Sequence, residues 1–526
     1  MPALPYDIFP IVFEFLRQDR NTLFSCSLIN RTICRLAIPL LWKNPFMSND
    51  SLEEINQYKS ALLIRTYLAC LTEDERSYLT KKGVEIRKFP KPLFDYACFL
   101  EEMMHSCPLY NSVLCWILLE YRKYTKNCLN GISNMYQFDE SEIQDPLINS
   151  LYSMYFKKSK IKTLGISIEM LKIKDPIDQQ LFNKMNLSTL SNLSRLIIYL
   201  KDNSFGFKSN QHSFDFLLSI IKKWCHKIQH VRISNLLVFA HQKLPKIQEI
   251  MSQQQRLVKL DLLTPKQNFI IDDILLNLKG HDYNFLTEME VHDTDLSDSS
   301  LLEGLSSIDS LKSLYLIRCR GISMHNIHIL SDSSISLLKL KFINNEFPPG
   351  LIISTIGKSL TELITNQLDQ EATELLSYHC SESLTHLDIV GINLQTQKIF
   401  YNLIVRLKLN SLKISCCRES TGQILNDLGK NLPNSLKYLG LFGLYTFKGL
   451  TVEHFENLLS NCNATLESLE IYGTINRNFL VVIYDYIKNH RNFKSLIINL
   501  YGKGWEDKES SLLKDFSKYG VKSFVN

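Results

Sequence analysis

The chain has 526 residues, 45% hydrophobic and 21% charged, ordinary proportions for a folded protein and too many residues for one compact core. Its 59 basic and 54 acidic residues leave a formal net charge of +5, too mild a bias to point to nucleic acid or a membrane surface. No uninterrupted apolar run approaches the roughly 20 residues of a membrane span. The 13 cysteines form no C-x-x-C pair, so neither a zinc module nor a redox motif is visible. Cys98, Cys115 and Cys225 fall among apolar residues, where a reduced thiol acts as a small hydrophobe, and a reducing compartment follows.

Residues 1–46 read as a compact helical unit. Ile8, Phe9, Ile11, Val12, Phe15 and Leu16 recur at helical spacing after Leu4-Pro5. A second run carries Leu23, Cys26, Leu28 and Ile29. A third carries Ile33, Leu36 and Ala37 up to Pro39, before Leu41-Trp42 closes the segment. Asp7 and Glu14, with no basic start, argue against a signal peptide. About 45 residues are marginal for an independent core, so the unit should rest on something else.

Leu4-Pro5-x-Asp7-Ile8, Phe15-Leu16, Leu23, Leu28-Ile29-Asn30-Arg31, Arg35-Leu36-Ala37, Pro39 and Leu41-Trp42 resemble an F-box motif along nearly its whole length. The pattern departs at Ile33, where that family usually has tryptophan. The resemblance implies a three-helix module that binds a small Skp-type adaptor and, through it, a cullin ubiquitin ligase. It implies an adaptor-facing surface drawn from Leu4, Pro5, Ile8, Val12, Leu16, Leu28, Ile29, Leu36, Pro39 and Trp42. The bland alternative is a helical cap on a repeat array, which explains the apolar spacing but not Leu4-Pro5 and Leu41-Trp42 at the two ends.

Residues 47–160 read as a helical bridge. Leu52 to Leu68 suit one helix; Thr72-Glu-Asp-Glu75 has capping-box spacing, and Gly83 ends the helix it starts. Phe94 to Met104 and Ser112 to Tyr124 have helical period, and Val113 to Leu119 is apolar nearly all round, as in a buried helix. Asp139 to Asp145 reads as an acidic connector ahead of Pro146. Lys157-Lys158-x-Lys160-x-Lys162 reads as a solvated face.

From Ile161 to residue 526 one frame recurs, L-x-x-L-x-L, clearest at Leu466/Leu469/Ile471. Its thirteen copies have middle residues at Leu164, Leu196, Val231, Leu260, Met289, Leu314, Leu340, Leu363, Leu387, Leu412, Leu439, Leu469 and Leu496, in steps of 23 to 35 residues. That frame and period are the signature of leucine-rich repeats. The expected fold is α/β: an N-terminal helical unit and bridge followed by a curved solenoid, parallel strands inside and helices outside, closed by a C-terminal cap. The expected domains are 1–46, 47–160 and 161–526. Cys319, Asn345 and Cys417 fall where leucine-rich repeats place Asn or Cys after the strand, and that resemblance implies that they tie the turning backbone.

Residues alternating with the buried ones face the concave side. Arg232 beside Asp261, and Asp388 beside Lys413, are placed to pair across rungs, which on an exposed face is worth about 0–1 kcal/mol. The candidate substrate surface comprises Tyr315, Lys341, Asp388, Val390, Lys413, Phe442, Glu470, Tyr472 and Ile497, with the C-terminal tail as an alternative occupant of its end.

Catalytic patterns do not stand. Ile356-Gly357-Lys358-Ser359 lacks the first glycine of a phosphate loop, His325-x-x-His328 lacks a third ligand, and Cys225-His226 with His230 is no better. No cofactor and no metal are expected. The expected function is substrate recognition in a Skp–cullin–F-box ubiquitin ligase, non-catalytic itself, monomeric within the complex, and cytoplasmic or nuclear. The expected partners are the adaptor and a protein substrate, with no nucleic acid or membrane. The alternative is a leucine-rich-repeat scaffold or inhibitor that binds a protein without a ligase.

Overall fold

The computed structural model describes residues 8–17, 19–46, 57–104, 107–121, 140–167, 170–171, 173–183, 187–200, 211–234, 244–263, 274, 285–416, 421–445, 450–474, 476–500, 513 and 515–525. They fall into two compact units, Met1–Leu263 and Thr264–Asn526.

Because a strand alternates its side chains, residues two apart share a face. In the first unit this brings together Leu164/Ile166, Leu196/Ile198, Val231/Ile233 and Leu260/Leu262, all at 0% exposure. They lie on the parallel strands β2 (Thr163–Ser167), β3 (Arg195–Tyr199), β4 (His230–Ser234) and β5 (Lys259–Leu263), each paired with the one before it in the chain. A short strand β1 (Glu102–Met103) precedes them, with Met103 beside Leu164. So Phe94 to Met104 is not a helix. It is a turn of 3-10 helix over Tyr96–Phe99 followed by the first rung, with Leu100 and Met103 buried in the frame's first two positions.

The second unit repeats the arrangement. Its strands are β6 (Glu288–His292), β7 (Ser313–Ile317), β8 (Lys339–Ile343), β9 (Glu362–Thr365), β10 (His386–Ile392), β11 (Ser411–Cys416), β12 (Tyr438–Tyr445), β13 (Ser468–Thr474), β14 (Ser495–Leu500) and β15 (Lys522–Val525). All are parallel and follow chain order. The middle leucines of β7 to β14 are at most 2% exposed. At about 1.5–3 kcal/mol for each fully buried leucine, this column is the main source of stability. A leucine-rich-repeat stack is therefore what the chain builds, one strand per repeat.

Backbone amides hold the rungs together in a repeating way. The two N–H groups at the start of a strand donate to one carbonyl of the preceding rung, as Ser194 and Arg195 do to Lys162 and as Asn410 and Ser411 do to Thr385. The pattern begins before the repeats: Glu101 and Glu102 donate to the Lys43 carbonyl at 3.0 and 3.1 Å. Side chains tie some exits, as expected at Asn345, whose Oδ1 accepts from the Cys319 amide (2.8 Å) while its Nδ2 donates to the Leu316 carbonyl (3.0 Å). Cys417 lies outside the described residues. At Gly473 an added Cβ would sit 1.9 Å from the Leu444 carbonyl oxygen, so only glycine allows the two strands this close there.

Helices α1 (Phe9–Phe15), α2 (Arg20–Ser27) and α3 (Arg31–Leu41) make the N-terminal unit; α4 (Gln57–Ala69), α5 (Glu73–Lys81), α6 (Cys107–Trp116) and α7 (Glu140–Lys158) make the bridge. The capping box at Thr72 and the left-handed Gly83 (φ 75°) bound α5 as expected. Two bridge expectations are corrected. Residues from Glu140 on are no connector but the start of the 19-residue α7, with Pro146 inside it. Val113 to Leu119 is not enclosed all round, since Leu118 is exposed; α7 is the enclosed helix, buried continuously from Asp145 to Phe156.

Ion pairs fasten the bridge. The carboxylate of Glu75 is buried, accepting from the Thr72 amide (2.9 Å) and the Thr72 hydroxyl, with Lys157 Nζ at 2.6 Å. Lys158 pairs with Asp95 (2.9 Å) and Lys162 with Glu101 (3.0 Å). The lysine run is thus a set of tethers rather than only a solvated face.

Candidate protein-binding surfaces

The three N-terminal helices form around Phe13, Leu23 and Ala37, with Phe9, Leu16, Cys26, Ile33, Leu36, Leu40 and Leu41 packed against them. Two caps stop and start the chain. The Asp19 carboxylate accepts from the Thr22 amide at 2.9 Å, and the Asn30 side chain accepts from the Ile33 amide at 2.9 Å. Each is worth about 1 kcal/mol. Ile33 fits this small core as an inward-packing residue.

Many apolar side chains remain outside that core. Ile8, Ile11, Val12 and Phe15 follow one stripe of α1, and Phe15 is 85% exposed. Phe24 and Leu28 stand four apart near α2, with Leu28 at 72%, and Ile29 follows it. An exposed apolar set of this size is unusual on so small a unit. Of the residues that the resemblance implies, Ile8, Val12, Leu28 and Ile29 are exposed. Leu16 and Leu36 pack against the internal core. Trp42 meets Tyr96 and Tyr67 of the bridge, with ring centroids 4.2 and 5.3 Å apart, and Pro39 is half-buried. Leu4 and Pro5 lie outside the described residues. Ile11, Phe15 and Phe24 are exposed alongside them, and the same helical spacing points to them.

In the second unit, register brings Asp388, Lys413, Gly440, Glu470 and Ile497 into one row across β10 to β14. Val390, Phe442 and Tyr472 belong to the next row. The structure assembles a cluster around Lys413. Its Nζ lies 5.4 Å from the ring centroids of both Tyr438 and Phe442, and 3.6 Å from Glu470 Oε2. Phe442 stacks on Tyr472, centroids 5.8 Å apart and planes 19° apart. The Tyr438 hydroxyl donates to Glu470. A Cβ at Gly440 would come within 2.9 Å of the Phe442 ring, so glycine leaves room for it.

Burial pushes the Asp388 carboxyl up, with Lys413 and Lys341 opposing the shift. Burial, and donation to Glu470, push the Tyr438 phenol up as well. Tyr315 and Lys341 are half-buried neighbours on β7 and β8, away from the Lys413 cluster. Tyr438 is the residue that the outward list missed. It stands one before Leu439, and the alternation that selects Gly440 and Phe442 selects it too. In the tail, Phe516 is buried and stacks on Tyr484, while β15 extends the sheet beside β14, Phe524 opposite Ile497. Trp505 lies outside the described residues.

Asp388 and Lys413 are Cα partners, yet the ion pair of Lys413 is with Glu470. Arg232 and Asp261 do pair, with Nε donating to Oδ2 at 2.8 Å. Asp261 is fully buried, however, not part of a solvated ladder.

The histidine and cysteine patterns do not converge. His325 and His328 are exposed, and no group of three or more His, Cys, Asp or Glu among the described residues could hold a metal. Burial pushes the Cys225 thiol up to about 12 and the Cys319 thiol up to about 11, so both stay protonated at neutral pH. Cys98, against expectation, is exposed. Among the described residues no helix is long and apolar enough to cross a membrane.

No family model matches the chain, and no curated protein does. Solved structures do. One is a leucine-rich repeat-containing protein of Legionella pneumophila, 12% identical, covering 68% of this chain and 97% of its own, with a TM-score of 0.35. Another is a leucine-rich-repeat protein of Leptospira interrogans, 13% identical, covering 69% and 95%, with a TM-score of 0.24.

Proposed function

We propose that the chain is the substrate-recognition subunit of a Skp–cullin–F-box type ubiquitin ligase, working in the cytoplasm or nucleus. The observation that carries this reading is the exposed apolar set on α1 and α2, found on the segment whose sequence resembles an F-box. A unit with a three-residue buried core has little reason to leave Ile11, Phe15, Phe24 and Leu28 in water unless a partner covers them. The second unit would hold the substrate at the Lys413 cluster. No catalytic group is needed, because holding a substrate near a charged ubiquitin carrier raises the effective concentration of its lysines.

The test is capture of a purified Skp-type adaptor by the full chain and by a Phe15→Asp/Leu28→Asp variant. Both side chains are largely exposed, so the variant should fold as the parent does, checked by its melting transition. Hot-spot truncations cost about 2 kcal/mol each, so adaptor capture should fall at least about thirtyfold. No capture by the parent, or equal capture by the folded variant, overturns the assignment.

A further inference from the structure

The outward sheet face of the first unit differs in charge from that of the second. Arg195, His230 and Lys259 are successive Cα partners on β3, β4 and β5, and Arg232 and Asp261 are partners one row along. Three permanent cations and a histidine thus stand around one carboxylate on strands about 4.8 Å apart. Across β6 to β14 the corresponding rows hold Glu288, Glu290, Glu362, Asp388 and Glu470 against Lys339, Lys341 and Lys413. The first face is cationic and the second is not.

On β3 to β5 the one acid is already committed, and Glu102, which heads the same row on β1, is paired with Arg17 and Lys43. Asp261 is fully buried, and its Oδ2 lies 2.7 Å from His230 Nε2 and 2.8 Å from Arg232 Nε; Lys259 Nζ is 3.7 Å from Oδ1. It orients the basic side chains and leaves the face with an excess of positive charge. Arg195 has no such partner. Its Nε is buried from solvent without a hydrogen-bond acceptor, and it forms no ion pair among the described residues. A desolvated guanidinium donor without an acceptor is costly, and a carboxylate or phosphate matches its fork geometry.

We propose that Arg195, His230, Arg232 and Lys259, set around the buried Asp261, form a docking site for an acidic peptide segment of a protein partner. An anionic group of the peptide bonds Arg195, and the rest of the row supplies the field that steers it there. Asp261 is a positioning residue. The site needs only the repeats, so it stands whether or not the N-terminal helices bind an adaptor.

The probe is a fluorescein-labelled hexaglutamate peptide, with hexaglutamine as its neutral counterpart, titrated with the full chain at low ionic strength and followed by anisotropy. Hexaglutamate should bind and hexaglutamine should not. Arg195→Glu should weaken hexaglutamate at least about tenfold, and Lys408→Glu, on the exposed surface of the second unit beside Glu382, should leave it unchanged. Arg195→Gln, neutral in place, should weaken it about threefold and serves if the glutamate variant does not fold. A phosphoserine peptide that binds more tightly, with the same loss in Arg195→Glu, makes phosphate the preferred anion of the site. The proposal fails if both peptides bind alike, or if the Arg195 variants bind hexaglutamate as the parent does. It fails too if oligothymidylate binds about tenfold tighter than hexaglutamate and depends on Arg195, because the occupant is then a nucleic acid.

Discussion

Lys43 is joined to Glu101 twice. Its carbonyl accepts the Glu101 amide at 3.0 Å, and its Nζ lies 2.9 Å from the Glu101 carboxylate. That carbonyl does for β1 what Lys162 does for β3, so the residue after Trp42 serves as the rung before the first strand. The three N-terminal helices are therefore seated on the stack itself. Arg17, 3.1 Å from Glu102, adds a further tie.

A first prediction follows from the aromatic side of this junction. Trp42 lies half-buried against Tyr96 and Tyr67, and Phe46 stacks on Tyr67 at 5.9 Å. Truncating a packed tryptophan costs about 3 kcal/mol. In Trp42→Ala, amide hydrogens of Phe9–Leu41 should exchange at least about tenfold faster, while those of β10 to β14 keep the parent's rates. Unchanged exchange in Phe9–Leu41 would mean that the ring does not hold the junction.

The frame of the repeats was legible because its physics is local: two apolar residues on one strand face and a third at the turn before them. All thirteen copies lie on strands. The first rung was hidden because 61 residues separate Met103 from Leu164, and no period survives that interruption. The last was hidden because Ser523 stands opposite Leu496, where the frame asks for an apolar side chain. Proline misled at Pro146. The burial of Ile143, Leu147, Ile148, Leu151, Tyr152, Tyr155 and Phe156 on α7 outweighs the roughly 3 kcal/mol that an interior proline costs. Which outward residues meet one another, as Lys413 and Tyr438 do, depends on side-chain reach that register alone does not give.

A second prediction concerns acid. Burial would raise the Glu75 carboxyl, but hydrogen bonds from Lys157 and Thr72 outweigh it and hold the group below its ordinary 4.5. Asp261 is likewise held below 3.8, burial being outweighed by His230, Lys259 and Arg232. A carboxyl depressed in the folded state contributes stability above its unfolded pKa, and loses it as pH falls through the folded value. The first unit should therefore lose stability progressively below about pH 4.5. In Glu75→Gln this acid loss should be shallower. The same substitution should cost about 1–3 kcal/mol at neutral pH, because the buried acceptor of Lys157 is weakened. Denaturant melts at neutral and acid pH measure both. Parallel pH profiles for parent and variant would rule out Glu75 as a source of the acid sensitivity.

The last prediction places the substrate. Two stacked rings, a lysine held over one of them and a glycine that makes room beside it form an aromatic platform with a charge fixed at its edge. Such a platform offers apolar area at little cost in side-chain entropy, and the Lys413–Glu470 pair sets orientation more than affinity. In a Phe442→Asp/Tyr472→Asp variant both rings go and two like charges face each other on adjacent strands. Leu439, Leu441, Leu469 and Ile471, which hold those strands, stay buried beneath them. The variant should therefore keep a cooperative melt, while proteins crosslinked to the parent in cells with the proteasome blocked are lost. For a substrate identified that way, affinity should fall at least about thirtyfold, as loss of a 2 kcal/mol hot spot implies. If a folded variant captures the same proteins with the same affinity, the substrate is held elsewhere on the repeats.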